Sequence, residues 1–121
     1  MTLKDIEVAD IPLTKTIKNS TEILFVFPEI YSINDKKYIK NCALKIENWK
    51  DLQALAIISY SSSSFDKKEL QENELENFDL IQEITLDGNF LTLKGYSRDS
   101  NNWLEYSFLD CNYEILNPYL E

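Results

Sequence analysis

Apolar side chains recur at every second position through most of this chain, and no other feature constrains the fold as strongly. Residues 39–47 place Cys42, Leu44 and Ile46 on one side and Ala43, Lys45 and Glu47 on the other. Residues 102–109 place Leu104, Tyr106 and Phe108 opposite Trp103, Glu105 and Ser107. Successive side chains of an extended strand point to opposite faces, so a period of two marks half-buried strands. Residues 22–27 read as a strand that stops at Pro28, which has no N–H for a ladder. Residues 52–60 are almost continuously apolar, as expected of a central strand covered on both faces. Residues 79–86 and 90–95 flank Asp87-Gly88, a type I′ hairpin signal. The loop 97–101 leads into 102–109, and Asp110-Cys111-Asn112 turns again into 113–116. Together these predict an antiparallel meander of four strands.

The remaining segments are less regular. Residues 4–8 read as a strand, and Pro12 interrupts the chain soon after it. Residues 66–77 fit either a short helix capped by Asp66, with Glu69 at capping-box spacing, or an ordered acidic loop. The four serines Ser61 to Ser64 end the strand before them or extend it. The expectation is a mainly β fold in one domain over residues 1–121: an antiparallel sandwich or rolled sheet of six to seven strands, with room for one short helix. At 121 residues the chain buries roughly two thirds of its unfolded surface and needs no metal or disulfide to fold.

Composition narrows the chemistry. The chain has no histidine, which removes the usual serine and cysteine triads. Gly95-Tyr96-Ser97-Arg98 lacks the second glycine of a nucleophile elbow and lies between two strands. Two glycines in all leave no Gly-rich phosphate loop. Two separated cysteines without histidine do not make a zinc set, and no stretch has the spaced pattern of a calcium loop. These readings predict a protein that is not an enzyme and needs no metal or cofactor. No apolar run approaches the ~20 residues of a membrane span. The first residues lack the basic and apolar regions of a signal peptide. A cytoplasmic location is therefore expected, with Cys42 and Cys111 as buried thiols rather than a disulfide.

Beyond the strands, the chain offers charge and aromatic surface. The formal net charge is -9. Residues 69–83 carry Glu69, Glu72, Glu74, Glu76, Asp79 and Glu83 without one Lys or Arg. Such a field repels nucleic acid and anionic membranes and speeds association with basic proteins. Its plainer role is solubility. Period two sets Trp103 and Glu105 opposite the core side of their strand, a composition typical of binding hot spots unless a second sheet covers them. Trp49 is a weaker candidate of the same kind. The candidate partner-binding residues are Glu69, Glu72, Glu74, Glu76, Asp79, Trp103, Glu105 and Trp49.

The segments Ile46-Glu47-Asn48-Trp49-Lys50-Asp51-Leu52, Leu91-Thr92-Leu93-Lys94-Gly95-Tyr96 and Asn102-Trp103-Leu104-Glu105-Tyr106-Ser107-Phe108 resemble small immunity proteins of bacterial polymorphic toxin systems, of the contact-dependent inhibition or Rhs type. The resemblance covers roughly residues 39–116 and lies in size, acidity, β patterning and aromatic hairpins. It implies a cytosolic protein that binds a cognate, basic, nuclease-type toxin domain and blocks it; the chain itself is expected to be a monomer or weak dimer. Two other readings stand beside it. One is a DNA-mimic inhibitor of a nucleic-acid enzyme, with carboxylates spaced like phosphates. The other is a structural or small-ligand-binding β domain with a lined pocket.

Overall fold

The computed structural model describes residues 1–119. Its strands are β1 (Ile6–Glu7), β2 (Lys15–Lys18), β3 (Glu22–Ser32), β4 (Lys37–Glu47), β5 (Asp51–Ser61), β6 (Ser64–Glu69), β7 (Phe78–Asp87), β8 (Phe90–Ser97), β9 (Trp103–Leu109) and β10 (Asn112–Leu116). They form two antiparallel sheets of five strands, a mainly β sandwich as expected, with ten strands in place of six to seven. In the first sheet β4 lies between β3 and β10, and β1 and β2 share the other edge of β3. The second runs β6-β5-β9-β8-β7. The short strands β2 and β6 lie outside the stretches read as strands, and the strand expected over residues 4–8 is reduced to the two-residue β1 after a 3-10 turn, Leu3–Asp5.

The inner faces meet in one core. Ile23, Phe25, Phe27, Cys42, Leu44 and Ile46 come from the first sheet, and Ala54, Ala56, Leu91, Leu93, Leu104 and Phe108 from the second. The alternation read over residues 39–47 and 102–109 is the one found. Phe78 ties the two halves, with its ring edge-on to Phe25 at 6.1 Å and to Tyr106 at 5.0 Å.

Several local expectations need correction. Strand β3 does not stop at Pro28 but continues to Ser32. Pro28 stands opposite Asn41, between the paired positions Phe27–Cys42 and Glu29–Lys40. On its other side β2 pairs only as far as Val26 and β1 begins at Tyr31, so the missing N–H falls in a gap between two edge strands. Asn41 takes φ +60°, and beyond this point the inward register switches from Phe27 to Ile30. Strand β5 is covered on one face only: Ala54 and Ala56 are buried, while Leu55 and Ile57 are half-exposed. Segment 66–77 is neither one helix nor one loop. Its first part is the edge strand β6, followed by a single 3-10 turn, Glu72–Glu74. Gln71, not Asp66, occupies the capping position, and its N–H donates to Glu74 Oε1 at 3.0 Å. The β7–β8 turn is the two-residue loop Gly88-Asn89, since Asp87 pairs with Phe90. Only Gly88 has positive φ, which fits a type II′ turn rather than I′.

The meander has three strands, because β10 leaves it for the first sheet. Strand β4 pairs with β10 up to Glu47–Asn112, and β5 pairs with β9 from Asp51–Leu109. A two-stranded ribbon thus bends from one sheet into the other. Asn48 (φ 55°) and Asp110 (φ 49°) make the bend, and Asn and Asp are the residues besides Gly that best tolerate this region. Trp49 fills the corner, its ring edge-on to Phe108 at 5.3 Å.

On the other side β7 meets the link between β1 and β2. Pro12 bridges Leu80, and the Leu13 N–H donates to the Asp79 carbonyl at 2.9 Å. Segment 70–77 crosses between the outermost strands of the second sheet and contributes Leu70 and Leu75 to the core.

Candidate functional site

The register of the second sheet places its outward side chains in rows. Ile57, Trp103, Tyr96 and Leu80 stand side by side across β5, β9, β8 and β7, with Lys67 of β6 at the end. The next row is Glu69, Leu55, Glu105, Lys94 and Glu83. A hydroxyl row lies beyond it, in which Thr92 and Ser107 share a hydrogen bond of 2.9 Å. The last row begins and ends on Asp51 and Asp87. These positions face outward because their neighbours Ala56, Leu104, Leu93 and Ile81 fill the core.

No element of the described chain covers this face. Ile57, Trp103, Tyr96 and Leu80 belong neither to the core nor to the smaller buried cluster of Leu24, Val26 and Ala43 on the first sheet. Trp103 is half-buried, and its ring lies edge-on to Tyr96 at 5.0 Å and 82°. Tyr96 is 44% exposed, and Phe65, one row further out on β6, is 58% exposed. Lys94 Nζ lies 3.8 Å from Glu105 Oε1, so it partly offsets that carboxylate and leaves Glu69 and Glu83 free to act outward. Five carboxylates (Asp51, Glu69, Glu83, Asp87, Glu105) against two lysines (Lys67, Lys94) give the face a net charge of -3.

The predicted site residues divide. Trp103, Glu105 and Glu69 come together on this face. Trp49 does not join them; it packs at the corner and lines a cleft of about 240 Å³ with Ile23, Leu52, Leu70 and Leu75. Lys18, Lys50, Asp51 and Glu72 rim that cleft, two cations against two anions. The acidic run is also divided. Glu72 is exposed at the rim of the Trp49 cleft. Glu74 pairs with Lys68 at 3.1 Å and caps its own turn, and these contacts hold its carboxyl below the usual value, the backbone bond from Gln71 contributing most. Asp79 pairs with Arg98 at 3.3 Å, and Arg98 Nη2 also donates to the Leu13 carbonyl at 2.6 Å.

Glu76 is tied inward. Its carboxylate accepts from Ser97 Oγ at 2.7 Å and from Ser100 Oγ at 2.5 Å. Its main chain is held by the Tyr106 hydroxyl, which accepts from the Glu76 N–H at 2.8 Å and donates to the Glu76 carbonyl at 2.7 Å. Burial raises the Tyr106 pKa, with the nearby Glu76 and Asp99 charges adding to it, so the phenol stays protonated. These bonds clamp the crossover to the loop between β8 and β9.

Sequence reasoning missed Ile57, Tyr96 and Leu80 as surface residues. The signal for Ile57 was present in the alternation of Ala54, Leu55, Ala56 and Ile57, where small residues mark the packed side. Alternation over residues 79–86 sets Leu80 on the same side as Ile84 and Leu86, but the pairing slips between Ile81 and Glu83, so Ile84 packs on the core and Leu80 stands outward.

The thiols of Cys42 and Cys111 are free, and burial pushes both up. Among the described residues, no cluster of three or more Cys, Asp or Glu is arranged to hold a metal. Nor is any helix there long and apolar enough to cross a membrane. In comparisons with known proteins, no family model matches the chain, no curated protein matches it in sequence, and no solved structure matches its fold.

Proposed function

We propose that this chain is an immunity-type inhibitor that binds a basic toxin domain through the outer face of its second sheet. One observation carries the reading: the uncovered row of Ile57, Trp103, Tyr96 and Leu80, bordered by Glu69, Glu105 and Glu83. An aromatic centre with a charged border is the anatomy of a protein interface. Trp and Tyr are the residues most often found as energetic anchors. The net charge of -9 selects a cationic partner and speeds its encounter. A nuclease surface built to hold phosphates meets that requirement.

The pairing of the acidic run weighs against a DNA mimic. With Glu74, Glu76 and Asp79 each bound within the protein, the segment lacks a continuous ridge of unpaired carboxylates.

The test is capture from a lysate of the producing cell with tagged protein, at low and high salt, and then co-expression with the captured polypeptide. The expected result is one basic polypeptide, held less well in high salt and lost with Trp103→Ala. Its toxicity in a host cell is suppressed by this chain. Recovery of many nucleic-acid-binding proteins, or toxicity that this chain leaves unchanged, sinks the proposal.

A further inference from the structure

Strand β7 is an open edge over half its length. As far as Gln82 it is tied to the link before β2, through the Pro12–Leu80 bridge and the paired hydrogen bonds of Asp10 and Gln82 at 2.6 and 2.8 Å. From Glu83 to Asp87 its main chain pairs with β8 on one side and, among the described residues, with no strand on the other. The two sheets part here, leaving a groove of about 240 Å³ lined by Leu3, Ile6, Val8, Ile33 and Ile84. Its charged lining residues are Glu7 and Glu83, and no lysine or arginine lines it. The opposite edge of the sheet is guarded differently, since β6 carries Lys67 and Lys68. Charged edge residues, lysine above all, are the usual protection against strand addition.

We infer that this seam receives an extended segment of a partner protein as an eleventh strand, added to the free edge of β7. A strand laid on β7 shares its alternation. Its inward side chains would enter the groove beside Ile84 and Ile33, and its outward ones would stand near Glu83 and Asp87. The segment that fits therefore alternates apolar and basic residues. Main-chain bonds would supply affinity, and the alternating pockets and charges would supply selectivity. This goes beyond the Trp103 reading, because it specifies the backbone form of the element bound and an adjoining edge of the sheet, which shares only Glu83 and Asp87 with the outer face.

The test uses the whole chain and a synthetic probe, the decapeptide (Lys-Val)5, with (Glu-Val)5 as its charge-reversed counterpart. Amide hydrogen exchange is measured residue by residue. At a peptide concentration of about ten times Kd, the free-edge amides within residues 83–87 should exchange roughly tenfold more slowly. Glu83→Lys and Ile33→Ser, both at exposed positions, should each weaken binding, the first through charge and the second through the groove. Absence of binding, protection confined to other residues, or equal binding of (Glu-Val)5 overturns the inference. So does protection of residues 83–87 that grows with protein concentration without peptide, which would mark the seam as a contact between two copies. The assay needs no toxin, so its failure is distinct from failure of the capture experiment.

Discussion

Tyr106→Phe isolates one hydroxyl. The ring makes the edge-on contact with Phe78 at 5.0 Å, and phenylalanine keeps it. The variant loses the pair of bonds to the Glu76 main chain, at 2.8 and 2.7 Å. Each neutral bond contributes about 1 kcal/mol net, and an abandoned buried partner raises the penalty. Glu76 is only half-buried, so water restores part of the loss and the expected cost is about 2 kcal/mol. An unfolding entropy of about 2.1 cal/mol/K per residue gives roughly 0.25 kcal/mol/K for this chain. The midpoint should then fall by about 8 °C in a thermal scan monitored by circular dichroism. Exchange at the Glu76 amide should speed up more than exchange at Leu93 or Leu104, because the clamp on the crossover opens before the sandwich does. The hydroxyl also sets an alkaline limit. Its pKa is raised in the folded state, so its contribution is complete below the ordinary value of 10.0 and is lost as pH climbs through the folded value. The variant should lose that alkaline sensitivity. A midpoint within about 2 °C of the parent would refute the clamp.

Other single contacts carry consequences of their own. A Cβ at Gly95 would stand 1.9 Å from the Leu80 carbonyl oxygen and 2.9 Å from the Ile81 Cα. Gly95→Ala should therefore destabilise by about 3 kcal/mol or more in urea unfolding, and a change below about 1 kcal/mol would show that β7 yields easily. Trp103→Ala should cost the fold only about 0.5–1.5 kcal/mol through the Tyr96 pair, yet weaken capture of a cognate partner by at least about 2 kcal/mol; equal affinity for both proteins would remove Trp103 from the interface. The carboxyl of Glu74 is held below its ordinary 4.5, so its contribution is complete above that pH and fades as acid titrates the folded form. An acid titration of Glu74→Gln should show a flatter loss of stability below pH 4.5 than the parent, and coincident curves would mean the cap contributes nothing.

Much of the architecture was legible because a strand's period is local. The sides assigned to Cys42, Leu44 and Ile46, and to Leu104, Tyr106 and Phe108, depend only on alternation between neighbours, and the structure keeps them. The same rule put Trp103 and Glu105 together. Local pattern alone was therefore enough for the class of fold, the inward residues of the regular strands, and an acidic surface without histidine. Long-range pairing set what those residues do. Pro28 is tolerated inside β3 because β2 and β1 pair on either side of it along the same edge and leave a gap beside it. The last strand crosses to the first sheet because Asn48 and Asp110 bend a ribbon whose two strands are far apart in the chain. Glu74, Glu76 and Asp79, close together and alike in sequence, meet a lysine, two serines and an arginine brought to them by other elements. Side-chain direction is set by local dihedral angles, whereas the neutralisation or exposure of a charge depends on the groups that tertiary contacts place beside it.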